Sequence, residues 1–368
     1  GAMKVAVTGA NGFIGRHVLA ELAKYPVEVL AISRSIDSEW ELPANATAVQ
    51  LDMQDVSPAT FAQLGAPDAL IHLAWGGLPN YKSLTHFERE LPLQYHFLQT
   101  LIRSGLSSLV ATGTCFEYGM QSGPLSEQLP AAPNNPYGFA KDSLRQQLEY
   151  LRNIQPFALT WARLFYMYGP GQAANSLFPQ LQQAVQRGDP VFNMSGGEQL
   201  RDYLPVTQVA RHLVAIALAK KDLGVVNVCS GKAISVRQQV ENWLAENAWS
   251  IALNLGYYPY PDYEPLAFWG TCSKLPTGAL SVITAVEMHH ARRGTPYPDA
   301  SLASYCCWPT RGLPDSTGVN PAAHRVNPSW GQTHHLLCGS SRAHKCAAAP
   351  GPSLCHVQSC LHHRGHTA

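Results

Sequence analysis

Residues 4–15 read KVAVTGANGFIG, and this segment decides the fold of the chain. Its first five residues form an apolar run that is typical of a buried strand. Three glycines follow with GxxGxxG spacing, and an amphipathic stretch over 16–24 predicts a helix. In such a turn Gly9 permits the tight bend, Gly12 lets the backbone approach a ligand, and Gly15 lets the helix pack closely. The segment therefore predicts a dinucleotide-binding turn between a strand and a helix.

Strand-like and helical segments alternate along the first part of the chain. The predicted strands cover 4–8, 28–33, 69–74, 109–112 and 157–163, and the predicted helices cover 16–24, 84–104 and 137–153. This alternation predicts an α/β fold, a Rossmann-type doubly wound parallel sheet. Because sites on such sheets lie at the carboxyl ends of the strands, we expect Gly9, Arg34, Ala74 and Thr114 to converge on one crevice.

The end of the second predicted strand indicates which dinucleotide binds. NAD sites usually carry an acidic residue here, which holds the ribose 2′-hydroxyl. This chain has Ser33-Arg34-Ser35 instead. A guanidinium matches phosphate geometry, so Arg34 favours NADP(H) over NAD(H), with a solvated loop residue as the alternative. Asp52, after the third strand, is a candidate for binding the adenine amino group or, equally, for capping the next turn.

Residues 134–141, NNPYGFAK, contain the strongest catalytic signal. Tyr137 and Lys141 are four residues apart, so both side chains lie on one face of a helix. A free phenol has a pKa of about 10, and a cation one turn away is expected to lower the pKa of Tyr137. A tyrosine tuned in this way is a general acid/base for an alcohol–ketone pair. The alternative is a helix start after Pro136 with an exposed lysine.

The segments TGANGFIG (8–15) and YGFAK (137–141) together resemble the extended short-chain dehydrogenase/reductase superfamily, the NAD-dependent epimerase/dehydratases of nucleotide sugars. The likeness runs from Lys4 to about Leu275. Further matching segments are HLAW (72–75), TGTCFEYG (112–119), ARLFYMYGPGQ (162–172), GGEQLRDYLPV (196–206) and NVCSG (227–231).

The resemblance implies roles for several side chains. Thr114, four residues before the tyrosine of the YG pair, would hydrogen-bond the reacting sugar oxygen beside Tyr137, or satisfy its own backbone as a strand-end residue. Lys141 would also bind the nicotinamide ribose. Arg201 would contact the sugar-nucleotide phosphates, or form a structural ion pair with Asp202. The full cofactor set is Gly9, Asn11, Gly12, Phe13, Ile14, Gly15, Arg34, Asp52, Met53, Leu73, Ala74, Trp75, Tyr137 and Lys141, and the substrate set is Thr114, Asn175, Ser176 and Arg201.

Departures from related patterns narrow the implied reaction. Cys115 and Phe116 replace the Asp-Glu pair of 4,6-dehydratases, and Cys115 is expected to pack in the core. Phe116 and Gly171 stand where 3,5-epimerising enzymes carry a cysteine and a histidine. Segments 72–83, 112–119, 135–145 and 258–270 are similar to dTDP-4-dehydro-6-deoxyglucose reductases, which form dTDP-fucose. CDP-abequose synthases, with the same chemistry, are close neighbours in this resemblance. The resemblance thus implies reduction of a sugar C4 ketone by NADPH, with two alternatives: a 4-epimerase with bound NAD, and a non-catalytic NADP-binding regulator.

Composition excludes several other classes of protein. The formal net charge is +1, and no basic run adjoins aromatic residues before position 275, so we expect no nucleic-acid partner. No apolar run approaches 18 residues, so we expect no membrane partner. Cysteines are sparse in the matching region, namely Cys115, Cys229 and Cys272, which predicts a reducing, cytoplasmic location.

Three regions are predicted along the chain. They are an NADP-binding Rossmann domain over 1–168, joined again by a segment near 205–232, and a mainly substrate-binding domain over 169–275. The third, 276–368, holds ten of the fifteen histidines and six of the nine cysteines but one lysine, so we interpret it as a non-native, disordered tail. The alternative is a zinc module using Cys338, His344, Cys346, Cys355, Cys360, His362 and His363. The helices over 84–104 and 137–153 are expected to form a homodimer contact, by resemblance, or to pack inward.

Overall fold

The computed structural model describes residues 1–271 and Lys274. The strands are β1 (Lys4–Thr8), β2 (Glu28–Ser33), β3 (Ala46–Gln50), β4 (Ala69–His72), β5 (Ser108–Thr114), β6 (Gly123–Leu125), β7 (Ala158–Leu164), β8 (Tyr166–Tyr168), β9 (Val191–Asn193), β10 (Leu200–Arg201), β11 (Tyr203–Pro205), β12 (Gly224–Val228), β13 (Ile234–Ser235), β14 (Ala252–Asn254) and β15 (Phe268–Gly270). The helices are α1 (Phe13–Leu22), α2 (Thr60–Gln63), α3 (Leu91–Arg103), α4 (Pro136–Ile154), α5 (Leu177–Arg187), α6 (Val206–Ala219) and α7 (Val236–Glu246). The tail and its zinc alternative lie outside the described residues.

Seven strands form one parallel sheet in the order β12-β7-β5-β4-β1-β2-β3. From β1 the chain adds β2 and β3 on one side, and then crosses over to add β4, β5 and β7 on the other. The strand order therefore reverses between β1 and β4, which is where open α/β sheets bind ligands. This topology confirms the predicted Rossmann-type fold.

Helices cover both faces of the sheet. On one face α1 packs against α6 and contributes the fully buried Val18 and Leu22. On the other face α3 packs against α4, where Phe97 and Leu148 are fully buried. Burying a side chain of this size stabilises the fold by about 1.5–3 kcal/mol. The two apolar layers hold the strand ends, and hence the crevice, in fixed positions.

Residues beyond β7 divide between the large sheet and a smaller region. Helix α6 lies on α1, and β12 pairs with β7, so the segment 206–228 completes the large sheet. The strand pairs β8–β11, β9–β14, β10–β13 and β6–β15 lie outside it. Helices α5 and α7 bury a separate core that contains Leu181 and Trp243. This smaller region supplies one wall of the cavity described below.

Several element boundaries differ from the sequence-based expectation. Helix α1 begins at Phe13 rather than at residue 16, because Gly12 is extended and serves as its N-cap. In place of the expected helix over 84–104, the structure has a short π-helix (His86–Glu90) followed by α3. Strand β4 ends at His72, which leaves 73–75 as a loop over the crevice. In the part of the chain that the structure describes, no helix combines the length and hydrophobicity needed to span a bilayer.

Candidate active site

The turn between β1 and α1 leaves no room for a side chain at Gly9, nor does the first turn of α1 at Gly15. Gly9 has φ +61°, and a Cβ there would lie 3.0 Å from the Ala74 nitrogen. A Cβ on Gly15 would lie 2.2 Å from the Gly9 carbonyl oxygen. No side chain caps the amino end of α1, and its first turn carries no acidic residue. Exposed helix N–H groups favour an anion, so this cradle suits the diphosphate of a dinucleotide.

Two adjoining cavities of about 540 Å³ and 810 Å³ open from this turn. They share Gly9, Gly12, Leu73 and Trp75, so they form one continuous crevice at the carboxyl ends of the strands. The 540 Å³ cavity, here called the reaction cavity, is lined by Phe13, Ile14, Gly15, Thr114, Tyr137, Lys141, Asn175, Ser176 and Arg201. The 810 Å³ cavity, the adenosine cavity, is lined by Asn11, Arg34, Asp52, Met53 and Ala74. The structure thus brings every sequence-predicted site residue to one crevice.

Two charged side chains with predicted roles, Arg34 and Asp52, lie at the adenosine cavity. Arg34 is exposed, and its carbonyl oxygen accepts a hydrogen bond from Gln50 Nε2 at 3.2 Å. Asp52 caps the turn at 53–55, accepting bonds from Gln54 N and Nε2, each at 3.1 Å. Those bonds, together with the charge of Arg34, lower the pKa of Asp52. The capping alternative for Asp52 is therefore the one that the structure displays.

Helix α4 carries Tyr137 and Lys141 into the reaction cavity. Asn135 caps the helix, its Oδ1 accepting a bond from Gly138 N at 2.7 Å, and Pro136 occupies the first turn. A Cβ on Gly138 would lie 2.8 Å from the Phe116 carbonyl oxygen, so glycine permits the close approach of α4 to the turn at 115–118. The Asn-Pro-Tyr-Gly sequence thereby fixes where the helix starts and what it faces.

Tyr137 is buried among aromatic rings. Its ring makes edge contacts with Tyr81 and His86, with centroids 5.1 and 5.2 Å away. Lys141 Nζ donates to the Thr112 carbonyl oxygen at 2.8 Å and lies 4.3 Å from the Trp75 ring centroid. Burial lowers the pKa of Lys141 to about 8.

The expected lowering of the Tyr137 pKa is wrong for this arrangement. Burial raises the pKa of Tyr137 well above its usual value, and the charge of Glu117 acts in the same direction. Lys141 Nζ is 5.9 Å from the Tyr137 ring centroid and directs a bond to Thr112 instead. Tyr137 is consequently a protonated phenol, which is the state that a proton donor requires.

Thr114 ends β5 at the wall of the same cavity. Its Oγ1 accepts a hydrogen bond from Phe116 N at 3.2 Å and caps the turn at 115–118. The strand-end alternative is thus observed, but a hydroxyl that accepts one bond still has a proton to donate. Cys115 next to it packs in a core cluster, and burial raises the pKa of its thiol, so it stays un-ionised.

Arg201 forms a different ion pair from the expected alternative. It is almost fully buried, and its Nη2 lies 2.8 Å from Glu264 Oε2. Asp202 does not pair with it and accepts bonds from the backbone nitrogens of Ser230 and Gly231. Glu264 also lines the reaction cavity. Glu264 lies in segment 258–270, which resembles the reductases. That resemblance was the signal in the sequence that could have pointed to Glu264, although it identified no individual residue.

The sequence analysis did not identify most of the aromatic residues that surround Tyr137. Tyr81 lies in the loop that follows β4, and His86 is the first residue of the helical turn His86–Glu90. His86 is fixed by the Asn80 carbonyl oxygen at 2.6 Å and by Trp75 Nε1 at 3.1 Å. Within residues 1–271 and Lys274, no group of three histidine, cysteine or acidic residues is placed to hold a metal ion.

Comparisons with known proteins agree with this geometry. The model of the NAD dependent epimerase/dehydratase family matches residues 5–229. The dTDP-6-deoxy-L-talose 4-dehydrogenase (NAD(+)) of Aggregatibacter actinomycetemcomitans is 30% identical over 270 residues, which are 73% of this chain and 99% of that protein. The UDP-arabinose 4-epimerase 1 of Arabidopsis thaliana is 26% identical over 297 residues, 70% of each chain.

A solved structure shares the fold. The UDP-glucuronic acid 4-epimerase of Bacillus cereus, in complex with UDP-glucuronic acid and NAD, superposes with a TM-score of 0.64 and 24% identity. The match covers 82% of this chain and 96% of the epimerase. Given the family match and the 30% identical relative, this chain belongs to the NAD-dependent epimerase/dehydratase family.

Proposed function

We propose that the protein reduces the C4 ketone of a nucleotide-linked 4-keto-6-deoxyhexose with NADPH, and that dTDP-4-dehydro-6-deoxyglucose, giving dTDP-fucose, is the substrate. Relatives named as 4-dehydrogenase and 4-epimerase support chemistry at C4 of a nucleotide sugar. The observation that carries the proposal is the convergence of Tyr137, Lys141 and Thr114 on one cavity that adjoins the glycine cradle.

The reaction needs a hydride, a proton and an oriented carbonyl. A nicotinamide cofactor held by the glycine cradle and Lys141 would supply the hydride for C4. Tyr137, protonated in its buried setting, donates its proton to the C4 oxygen. Thr114 donates a hydrogen bond to that oxygen and orients it. The ammonium of Lys141 stabilises the phenolate that remains, and the low dielectric around the buried pair strengthens this attraction.

NADP(H) is the proposed cofactor, because Arg34 faces the adenosine cavity where NAD sites carry an acid. The 30% identical relative is named as an NAD(+) enzyme, so the two cofactors need a direct comparison. Asn175, Ser176 and Arg201 are proposed to bind the substrate diphosphate. Ser176 is the N-cap of α5 with no side-chain cap bond, and so its helix end can face an anion.

The decisive experiment measures NADPH and NADH oxidation against dTDP- and CDP-linked 4-keto-6-deoxyglucose, with NMR of the products. We expect one NADPH consumed for each ketone converted to a C4 hydroxyl, faster than with NADH. Absence of oxidation with both keto-sugars contradicts the proposal. Cofactor binding without turnover would point to the non-catalytic regulator.

A second candidate, a 4-epimerase with bound NAD, has support from the 26% identical UDP-arabinose 4-epimerase. In such an enzyme Tyr137 would first take the proton of the C4 hydroxyl while hydride passes to the bound NAD, and both would return after the ketone rotates in the cavity. Burial keeps Tyr137 protonated, which fits a proton donor better than that base, so the reductase stays the first proposal. Such an enzyme carries NAD through purification and interconverts 4-hydroxy sugars without net cofactor oxidation. Those two results together would replace the reductase proposal.

A homodimer is also proposed, through α3 and α4. Phe139, Tyr150 and Ile154 lie on one face of α4 and are 50%, 72% and 77% exposed. Exposed apolar side chains at this spacing mark an interaction face. The mass measured by light scattering should be twice that of the chain and should fall to one chain in Ile154→Asp. A monomeric wild-type protein refutes the proposal.

A further inference from the structure

The segment between β4 and α3 carries two aromatic side chains that the mechanism above does not use, Trp75 and His86. Both lie beside the proton-transfer pair. The ring centroid of Trp75 is 5.9 Å from that of Tyr137, and the ring centroid of His86 is 5.2 Å from it. Trp75 lines both the reaction cavity and the adenosine cavity, whereas His86 is fully buried and lines neither. Any effect of His86 on the reaction must therefore pass through its neighbours.

Hydrogen bonds fix both ring nitrogens of His86. Trp75 Nε1 lies 3.1 Å from His86 Nδ1, and an indole nitrogen can only donate, so Nδ1 is the acceptor. The other nitrogen, Nε2, therefore carries the proton of the neutral imidazole and donates it to the Asn80 carbonyl oxygen at 2.6 Å. Rotation of the Trp75 indole would break its bond to the buried Nδ1, which costs free energy. His86 thus holds the indole in one orientation.

The backbone around His86 holds this arrangement against helix α4. Gly77 has φ +83°, and a Cβ there would lie 3.4 Å from His86 Cε1, so the loop wraps closely around the imidazole at a position that favours glycine. Further along the loop, the Tyr81 carbonyl oxygen accepts a hydrogen bond from the Tyr137 backbone nitrogen at 3.1 Å. The segment that carries Trp75 and His86 is therefore attached directly to the residue that donates the proton.

The ammonium of Lys141 lies over the face of the Trp75 indole. Its Nζ is 4.3 Å from the Trp75 ring centroid, well inside the range of about 6 Å over which a cation and an aromatic face attract each other. This attraction is largest where water is excluded, and Lys141 is 5% exposed. The Thr112 carbonyl oxygen accepts a hydrogen bond from the same Nζ at 2.8 Å. Lys141 Nζ is thus held between a carbonyl oxygen and an indole face, 5.9 Å from the Tyr137 ring centroid.

We propose that Trp75 and His86 are positioning residues for proton transfer: the face of the Trp75 indole holds the Lys141 ammonium beside Tyr137, and His86 orients that indole through its N–H group. The inference rests on the proposed function, in which Lys141 stabilises the phenolate of Tyr137. The alternative is a packing role, because Trp75 also contacts the apolar layer beneath α3 and α4. In that case substitution of Trp75 would lower stability and leave the position of Lys141 Nζ unchanged.

The first test needs no substrate and measures where Lys141 lies. The face of an indole shields the protons above it, so in wild-type protein labelled with ¹³C-lysine the Cε protons of Lys141 should resonate upfield of those of exposed lysines. Lys141→Arg assigns that NMR signal by its absence. Trp75→Leu should abolish the upfield shift. Trp40→Leu, which removes a half-buried indole outside both cavities, should leave it unchanged. A wild-type signal without the shift, or a shift that persists in Trp75→Leu, overturns the proposal.

The second test asks whether His86 acts through Trp75. His86→Leu should lower kcat by roughly tenfold, the scale of a desolvated cation–π contact, with the KM for keto-sugar within about twofold of wild type. His86→Asn, which keeps an acceptor near the position of Nδ1, should recover most of this loss. The double variant Trp75→Leu/His86→Leu should lose no more turnover than Trp75→Leu alone, because both changes remove one contact. Additive losses would show that His86 acts on Tyr137 directly, and would overturn the proposal.

The NMR measurement separates this inference from the proposed function. If wild-type protein turns over no keto-sugar, the function fails, while the Lys141 signal still tests Trp75, and a weaker upfield shift in His86→Leu still tests His86. Should Trp75→Leu not fold, Trp75→Phe keeps an aromatic face under Lys141 but has no N–H group for His86. Its upfield shift should be weaker than in wild type and should not change when His86→Leu is added. A further change in that double variant overturns the role of His86.

Discussion

The reaction cavity and the adenosine cavity share one crevice but hold their side chains in different ways. In the reaction cavity Tyr137, Lys141 and Thr114 are 8%, 5% and 7% exposed, and protein partners fix them from behind. At the adenosine cavity Arg34 is exposed, and Asp52 is half-buried with bonds to the neighbouring Gln54. The side chains of the reaction cavity are held in place before a ligand binds. At the adenosine cavity the exposed Arg34 side chain is left for the ligand to orient.

This difference suits the two cavities to two tasks, proton transfer in the reaction cavity and recognition of the cofactor at the adenosine cavity. Proton transfer requires fixed distances and excluded water, which burial and helix geometry provide. Recognition of a 2′-phosphate needs one long cationic side chain near the surface, and an exposed guanidinium can supply that. We therefore expect substitutions in the reaction cavity to change turnover and substitutions at the adenosine cavity to change cofactor affinity.

The largest expected effect is that of Tyr137→Phe. The variant keeps the ring contacts with Tyr81 and His86 but has no proton to donate, so kcat should fall at least about a hundredfold. NADPH affinity, measured by fluorescence titration, should be close to that of wild type. Near-normal turnover would contradict the role of Tyr137 as the proton donor, and with it the assignment of chemistry to the reaction cavity.

Tyr150→Phe provides the matched control for that variant. Tyr150 lies on the same helix but is 72% exposed. Its loss of a hydroxyl should leave kcat unchanged. Equal losses in the two variants would mean that turnover responds to α4 as a whole and not to the phenol at the cavity.

The next effect is on cofactor affinity, in Arg34→Ala. Losing a charge-assisted contact worth about 1.5–3 kcal/mol should weaken NADPH binding by about 10- to 100-fold. NADH lacks the 2′-phosphate, so its affinity should stay within about twofold of wild type. Isothermal titration of both cofactors measures this, with Arg103→Ala, an exposed arginine outside the crevice, as the control for net charge. Parallel losses for NADPH and NADH would contradict the assignment of Arg34.

The smallest effect is a pH dependence of the wild-type enzyme. Lys141 titrates at about 8 and must be an ammonium to stabilise the phenolate, so reduction should slow as pH rises through that value. Half of the ammonium is lost at about pH 8, so turnover there should be about half its plateau. Tyr137 keeps its proton over this range, since its pKa is raised.

Lys141→Arg tests whether Lys141 causes this loss of turnover, the alkaline limb of the pH profile. A guanidinium remains charged to a pKa above 12, so turnover in this variant should be lower throughout but without a limb near pH 8. An unchanged limb would show that a group other than Lys141 titrates, and would weaken the view that the reaction cavity is organised around this ammonium.

Local patterns in the sequence were sufficient for five strands of the large sheet, β1, β2, β4, β5 and β7, and for the glycine turn. The glycine spacing and the apolar run at 4–8 predicted β1 and the cradle, because both depend on neighbours in the chain. The Tyr137–Lys141 spacing likewise predicted one helix face. Boundaries were less accurate where a cap decides them, as at Gly12, whose extended conformation starts α1 early.

Contacts between residues far apart in the chain could not be predicted from the sequence. The pairing of Arg201 with Glu264 joins residues 63 positions apart, and the bond between Glu117 and Arg163 spans 46. No periodicity links such positions, because only the packing of separate strands brings them together. The missed direction of the Tyr137 pKa has the same origin, since the desolvating rings of Tyr81 and His86 come from another segment.

The sequence by itself determined the alternation of strands and helices in the large sheet, the tight glycine turn after β1 and the placement of Tyr137 and Lys141 on one helix, since these rest on backbone freedom and helical spacing. Tertiary structure decided the ionisation of that pair and the partners of every buried charge. Solvation and electrostatic energies depend on what surrounds a group in three dimensions, and chain folding alone establishes those surroundings.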